Sequence, residues 1–133
     1  MSIEEQFIAL FGVWNKARPF LHLMFDEREM RLVVAMQGNP VTVEGAASLL
    51  DLPSDEAAAL LQRCYERCIV DRAGTPGVLS FSPGSFYGFL DSFAKFENWD
   101  DIPAAARKAI DRRFLDEFIA RPRPAIERRL QGL

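Results

Sequence analysis

One histidine, His22, and two cysteines, Cys64 and Cys68, are this chain's whole supply of imidazole and thiol. That scarcity excludes most metal and nucleophile chemistry. A structural zinc takes four nitrogen or sulfur ligands, and His22 lies far from both cysteines in sequence. The cysteines are four residues apart, so they do not form a C-x-x-C motif. Two thiols so close on one helix suit a reducing compartment rather than a disulfide framework. No Ser or Cys has a recognisable base partner, and no glycine loop of the phosphate-cradling kind is present. Hydrophobic runs are short, well under the ~18 residues of a membrane span. The opening Met1-Ser2-Ile3-Glu4-Glu5-Gln6 lacks the basic region of a secretory signal. The expectation is a cytoplasmic protein with no membrane span, no metal or cofactor, no catalytic residues and no enzymatic activity.

Basic charge is also scarce where a nucleic-acid reader needs it. The net charge is −3, from 16 Lys and Arg against 19 Asp and Glu. Residues 1–40 carry −1, residues 41–84 carry −3 and residues 85–133 carry +1. The middle segment has only Arg63, Arg67 and Arg72 against six acids. What the chain does have is apolar mass: 49% of its 133 residues, enough for one domain with a real core.

Hydrophobic spacing predicts a mainly helical chain. Ser2 and Glu5 have capping-box spacing, and Ile3, Phe7, Leu10 and Trp14 form a helical stripe that Arg18-Pro19 ends or kinks. Asp26 and Glu29 repeat the box, with Phe25 and Met30 as a hydrophobic staple. That helix stops at Gly38-Asn39-Pro40. Thr42 caps a short helix whose Ala46, Leu49 and Leu50 face inward. After Asp51-Leu52-Pro53, Ser54 caps a third helix that buries Ala57, Leu60, Leu61, Cys64 and Cys68. Ile69 and Val70 open a strand, Ala73 to Gly77 turn it, and Val78 with Phe81 return. Phe86, Phe89, Leu90, Phe93 and Phe96 line the next helix. Ile110, Phe114, Leu115, Phe118 and Ile119 line the last, after Pro103. Arg121-Pro122-Arg123-Pro124 opens a tail that cannot be regular helix throughout.

The run Thr42 to Leu50, the turn Asp51 to Ser54, the helix Asp55 to Cys68 and the strand Ile69 to Arg72 resemble the winged-helix superfamily, which includes the MarR-like and ArsR-like regulators. With the preceding helix the match spans somewhat under half the chain. The resemblance implies a mainly α fold with a small β-wing. A winged helix-turn-helix core at 26–84 would lie between an N-terminal helical extension at 1–25 and C-terminal helices and tail at 85–133. A weaker likeness, carried by Ser85 to Ala94 and Trp99, is to winged-helix heads that precede ferredoxin-type iron–sulfur domains. The cysteine clusters of such domains are missing here.

Two departures from the winged-helix pattern matter. Cys68 stands where glycine often ends the recognition helix, and cysteine pays a steric cost in the left-handed region. The positions that the resemblance points toward the DNA groove are Asp55, Glu56, Ala58, Ala59 and Gln62. Phosphates and guanine call for Lys or Arg there. The candidate DNA contacts reduce to Gln62, Arg63, Arg67 and Arg72. Asp55/Glu56 and Asp100/Asp101 sit at helix starts and read as dipole-complementing caps rather than acid–base pairs. The phenylalanine surplus has two readings, packing within the chain or an interface. In the second, Trp14, Phe86, Phe89, Phe93, Phe96 and Phe114 face a protein partner or a second copy. Arg112, Arg113, Arg121, Arg123, Arg128 and Arg129 make the C-terminal end basic, as a solvated surface. The expected function is a non-enzymatic winged-helix module. It acts by protein contact or dimerisation, or as the head of a redox or regulatory assembly. The alternative is a DNA-binding transcriptional regulator.

Overall fold

Four of the helices start where a side chain takes over an orphaned backbone N–H. In a computed structural model, which describes residues 2–75 and 77–120, Ser2 Oγ accepts from the Glu5 N–H at 3.1 Å and starts α1, Ile3–Phe11. Asp26 and Glu29 each accept the other's backbone N–H at 2.9 Å, a complete capping box opening α3, Glu27–Met36. Thr42 and Ser85 each accept one N–H, from Gly45 and Gly88, to open α4, Val43–Leu50, and α6, Phe86–Phe96. The remaining helices are α2, Leu21–Met24, α5, Ser54–Glu66, and α7, Ala104–Ala120. Strands β1, Val70–Thr75, and β2, Val78–Pro83, pair antiparallel from Val70↔Pro83 to Thr75↔Val78. The described chain is thus mainly helical with one small hairpin, an order compatible with a winged-helix layout.

Val41 adds a contact that the residue pattern did not reveal. It lies just before α4 and exchanges both backbone hydrogen bonds with Phe81 of β2, each at 2.8 Å. The start of the helical pair is thereby stitched to the hairpin. Gly84 closes the other end: its N–H donates to the Ile69 carbonyl at 2.8 Å, and a Cβ there would sit 2.9 Å from that same oxygen.

Several boundaries differ from the sequence expectation, each for a local reason. The first helix ends at Phe11, not at Arg18-Pro19. Gly12 takes the left-handed conformation at φ 77°, and the N–H groups of Gly12 and Val13 both donate to the Ile8 carbonyl. Leu10 therefore points to solvent, and Trp14 enters the core from a loop. Ser54 is the first residue of α5 and makes no side-chain cap, which leaves Pro53 at the capping position. Leu49 is exposed rather than inward. Cys68 is exposed as well: α5 ends at Glu66, and Cys68 adopts φ 61°, turning the chain so that Ile69 is buried instead. The cysteine accepts the conformation that glycine would take at lower cost.

Aromatic rings join the flanking helices to one core. Phe25 meets Phe7 at 4.8 Å and Phe89 at 4.4 Å, while Phe89 continues to Phe93 at 5.5 Å. Trp14 packs edge-on against Phe86 at 5.2 Å. Residues from α1, α3, α5, the hairpin, α6 and α7 all contribute to this cluster. The segments expected as extensions are therefore built into the same interior as α3, α4 and α5. From α7 only Ile110 is buried, so Leu115, Phe118 and Ile119 do not form the inward stripe that their spacing suggests.

Truncating this lattice should be costly. Phe89→Ala is expected to lower stability by about 3–5 kcal/mol in urea unfolding. Phe96→Ala, at a side chain 82% exposed, should stay within about 0.5 kcal/mol of wild type. Phe93→Asp, which puts a charge at a fully buried position, should abolish the cooperative transition seen by circular dichroism.

Candidate functional site

The outward face of α5 is the surface that a DNA reader would present. Asp55, Glu56, Ala59, Gln62, Arg63 and Glu66 are exposed on it. Several of its polar groups are engaged within the chain. The Gln62 amide donates to Glu66 at 3.1 Å and accepts from Arg72 at 3.2 Å. The Arg72 guanidinium lies over the Tyr65 ring at 4.1 Å, a cation–π contact that holds it against the helix. Arg63 reaches back to Asp26 at 2.9 Å and lies 3.7 Å from Glu29.

Arg67 points into the protein. Its side chain is only 16% exposed and caps a buried ionic cluster. The guanidinium donates to Glu29, which is fully buried, and to the Met24 carbonyl. Glu97 accepts from Nη2 at 2.8 Å and from Nε at 3.1 and 3.2 Å. The same group stands 5.5 Å from the centre of the Phe89 ring. Burial acts to lower the Arg67 pKa, but the hydrogen bonds to Glu97 and Glu29 outweigh it and hold the group above its ordinary value. The cation is therefore permanent and fully used. Of the four candidate DNA contacts, Arg67 is withdrawn from the surface, because a buried carboxylate requires its charge. Gln62, Arg63 and Arg72 remain on the surface, each with a partner inside the chain.

Glu29 and Glu97 are the residues that spacing did not single out for this cluster. Glu29 shows a capping-box signature, but its second carboxylate oxygen serves a residue 38 positions away. Glu97 lies 30 positions from Arg67 and carries no local signature.

The thiols behave differently from each other. Cys64 is buried beneath the cluster. Burial, and next the negative charge of Glu29, push its pKa up to about 12, although Arg67 pulls the other way. It is a protonated, apolar packing group and a poor nucleophile or metal ligand. Cys68 is exposed. His22 lies at the surface with Nε2 3.0 Å from Glu4. Among the described residues no set of His, Cys, Asp and Glu side chains converges as a metal site, and no helix is long and apolar enough to cross a membrane.

The six candidate interface aromatics divide. Phe86, Phe89 and Phe93 are at most 1% exposed and lie within the chain's own core, as does Trp14 at 7%. Trp14 is covered in part by Arg113, whose guanidinium stands 4.7 Å from its ring. Phe114 is half-buried and stacks on Tyr87 at 4.7 Å. Phe96 alone is largely in solvent. Exposed apolar side chains also occur where the phenylalanine pattern did not point: Leu49 on α4, and Leu115, Phe118 and Ile119 on α7. Leu49 borders a groove of about 490 Å³ between α3 and the α4–α5 turn. Arg121, Arg123, Arg128 and Arg129 of the basic tail lie outside the described residues.

Comparison of the chain with protein families, with curated proteins and with solved structures returns no match.

Two predictions follow from the cluster. Arg67→Met leaves the Glu29 carboxylate buried without its partner and should cost about 3–5 kcal/mol; Arg63→Met, at an exposed pair, should cost about 0–1 kcal/mol. Urea unfolding of the two variants checks the contrast. For the thiols, a disulfide-exchange reagent should titrate one cysteine in the folded protein and two in denaturant. The folded-state pKa of Cys64 is raised, so its contribution to stability is complete below the unfolded value of 9.0 and declines as pH rises toward about 12. Cys64→Ala should flatten that alkaline decline.

Proposed function

We propose that this protein is a winged-helix module without catalysis of its own, acting through contact with another protein chain. The helical trio α3–α4–α5, the hairpin that follows it and the Val41–Phe81 bridge support the winged-helix assignment. The observation that carries the functional reading is the outward face of α5. Its acids Asp55, Glu56 and Glu66 are exposed, while Arg63, Arg67 and Arg72 are each engaged within the chain.

Binding to a duplex draws its sequence-independent strength from Lys and Arg that displace counterions from phosphates. A helix that presents carboxylates to those phosphates gains repulsion instead. Arg67 cannot be spared, because moving it would strand Glu29. Apolar surface is what this protein has in reserve, at Leu49 and Phe96 and along the end of α7. Partially exposed large side chains of this kind suit a protein surface better than a phosphate backbone.

Fluorescence anisotropy with a labelled random-sequence duplex at about 50 mM salt checks this reading. The expected result is no salt-dependent rise over the titration. A rise that disappears as salt increases would overturn it in favour of a DNA-binding regulator, with Gln62, Arg63 and Arg72 as the contacts to mutate first.

A further inference from the structure

The groove between α3 and the α4–α5 turn has walls suited to one kind of occupant. Its floor is apolar, built from Val34 and Leu60, each 7% exposed. Leu49, Leu50 and Leu52 form one wall. Leu49 is 54% exposed, so the groove lies open to solvent rather than enclosing a small molecule. Its boundaries are helices and a turn, with no strand edge, so an extended peptide would find no main-chain ladder to join. The α3 wall is ten residues long, or ~15 Å. That span matches two to three turns of a second helix.

The rim adds charge. Glu27, Arg28 and Arg31 of α3 line the edge of the groove. Arg31 is paired with Glu27 at 2.7 Å, whereas Arg28 makes no hydrogen bond or ion pair among the described residues. In a chain of net charge −3, this edge is locally basic and opposite in sign to the face of α5.

We propose that the groove receives an amphipathic helix from a partner protein, one with apolar residues at i, i+3 or i+4 and i+7 and a carboxylate set to meet Arg28. The inference rests on the protein-contact reading above and gives that contact a place and a chemistry. Apolar side chains of the partner cover Leu49 and its neighbours, and the Arg28 pair at the rim sets the orientation.

The test uses a fluorescein-labelled peptide of about 14 residues, ~21 Å long as a helix. It has leucines at i, i+4 and i+7 and glutamates along one flank; a companion peptide carries lysines in place of the glutamates. The whole chain is expected to bind the glutamate peptide saturably and about tenfold more tightly than the lysine peptide. Arg28→Glu should remove or reverse that preference. Leu49→Asp should weaken both peptides by about tenfold or more. Both substitutions are at exposed side chains, so circular dichroism and melting temperature should remain those of the wild type. Absence of saturable binding by the glutamate peptide, or binding that Leu49→Asp leaves unchanged, overturns the proposal. Duplex DNA in the same assay separates the two levels. Peptide failure without DNA binding removes the groove assignment alone. Salt-dependent DNA binding removes the protein-contact reading beneath it.

Discussion

The Arg67 guanidinium is the junction on which the arrangement of this protein depends. It is supplied by the C-terminal end of α5 and reaches three other places: the Met24 carbonyl at the end of α2, Glu29 in the first turn of α3, and Glu97 just beyond α6. These segments come from the N-terminal part, the α3–α5 helices and the C-terminal part of the chain. A charge withdrawn from water demands satisfied partners, and each partner demands its donor in return. The Phe25–Phe89 contact beside the cluster adds apolar burial between the same segments. Ionic and aromatic contacts therefore impose the same geometry.

That internal use of charge shapes the surface. Arg63, Arg67 and Arg72 are the only cations between residues 41 and 84. One is committed to Glu29 and Glu97, one to Asp26 and one to the Tyr65 ring and Gln62. Helix α5 is left with Asp55, Glu56 and Glu66 outward. Local positive charge appears instead on α3, next to apolar side chains that the core does not absorb.

The legible parts of the fold were those governed by neighbours in sequence. The capping box at Asp26 and Glu29, the caps at Thr42 and Ser85 and the hairpin between Val70 and Pro83 rest on spacings of a few residues, and they form as their spacing predicts. Less legible were features in which a strong local signal competes with a weaker one. Pro19 is the stronger stop signal for the first helix, yet Gly12 ends it earlier by entering the left-handed region. Cys68 fits the buried helical stripe by period, but the helix unwinds before reaching it. The α7 stripe has helical spacing without burial, because periodicity says which residues share a face and not whether anything covers that face.

Taken by itself, the sequence determined the helical and hairpin order, the acidic character of the outward α5 face and the shortage of metal-binding and nucleophilic groups. Composition and short-range backbone chemistry are sufficient for those. Only the tertiary structure decided that Phe86, Phe89 and Phe93 belong to the core, that Arg67 turns inward, and that Leu49 stands beside a basic-rimmed groove. The physical reason is separation along the chain. Glu29, Arg67 and Glu97 meet across gaps of 38 and 30 residues, and no local spacing records which distant carboxylate will neutralise a given arginine.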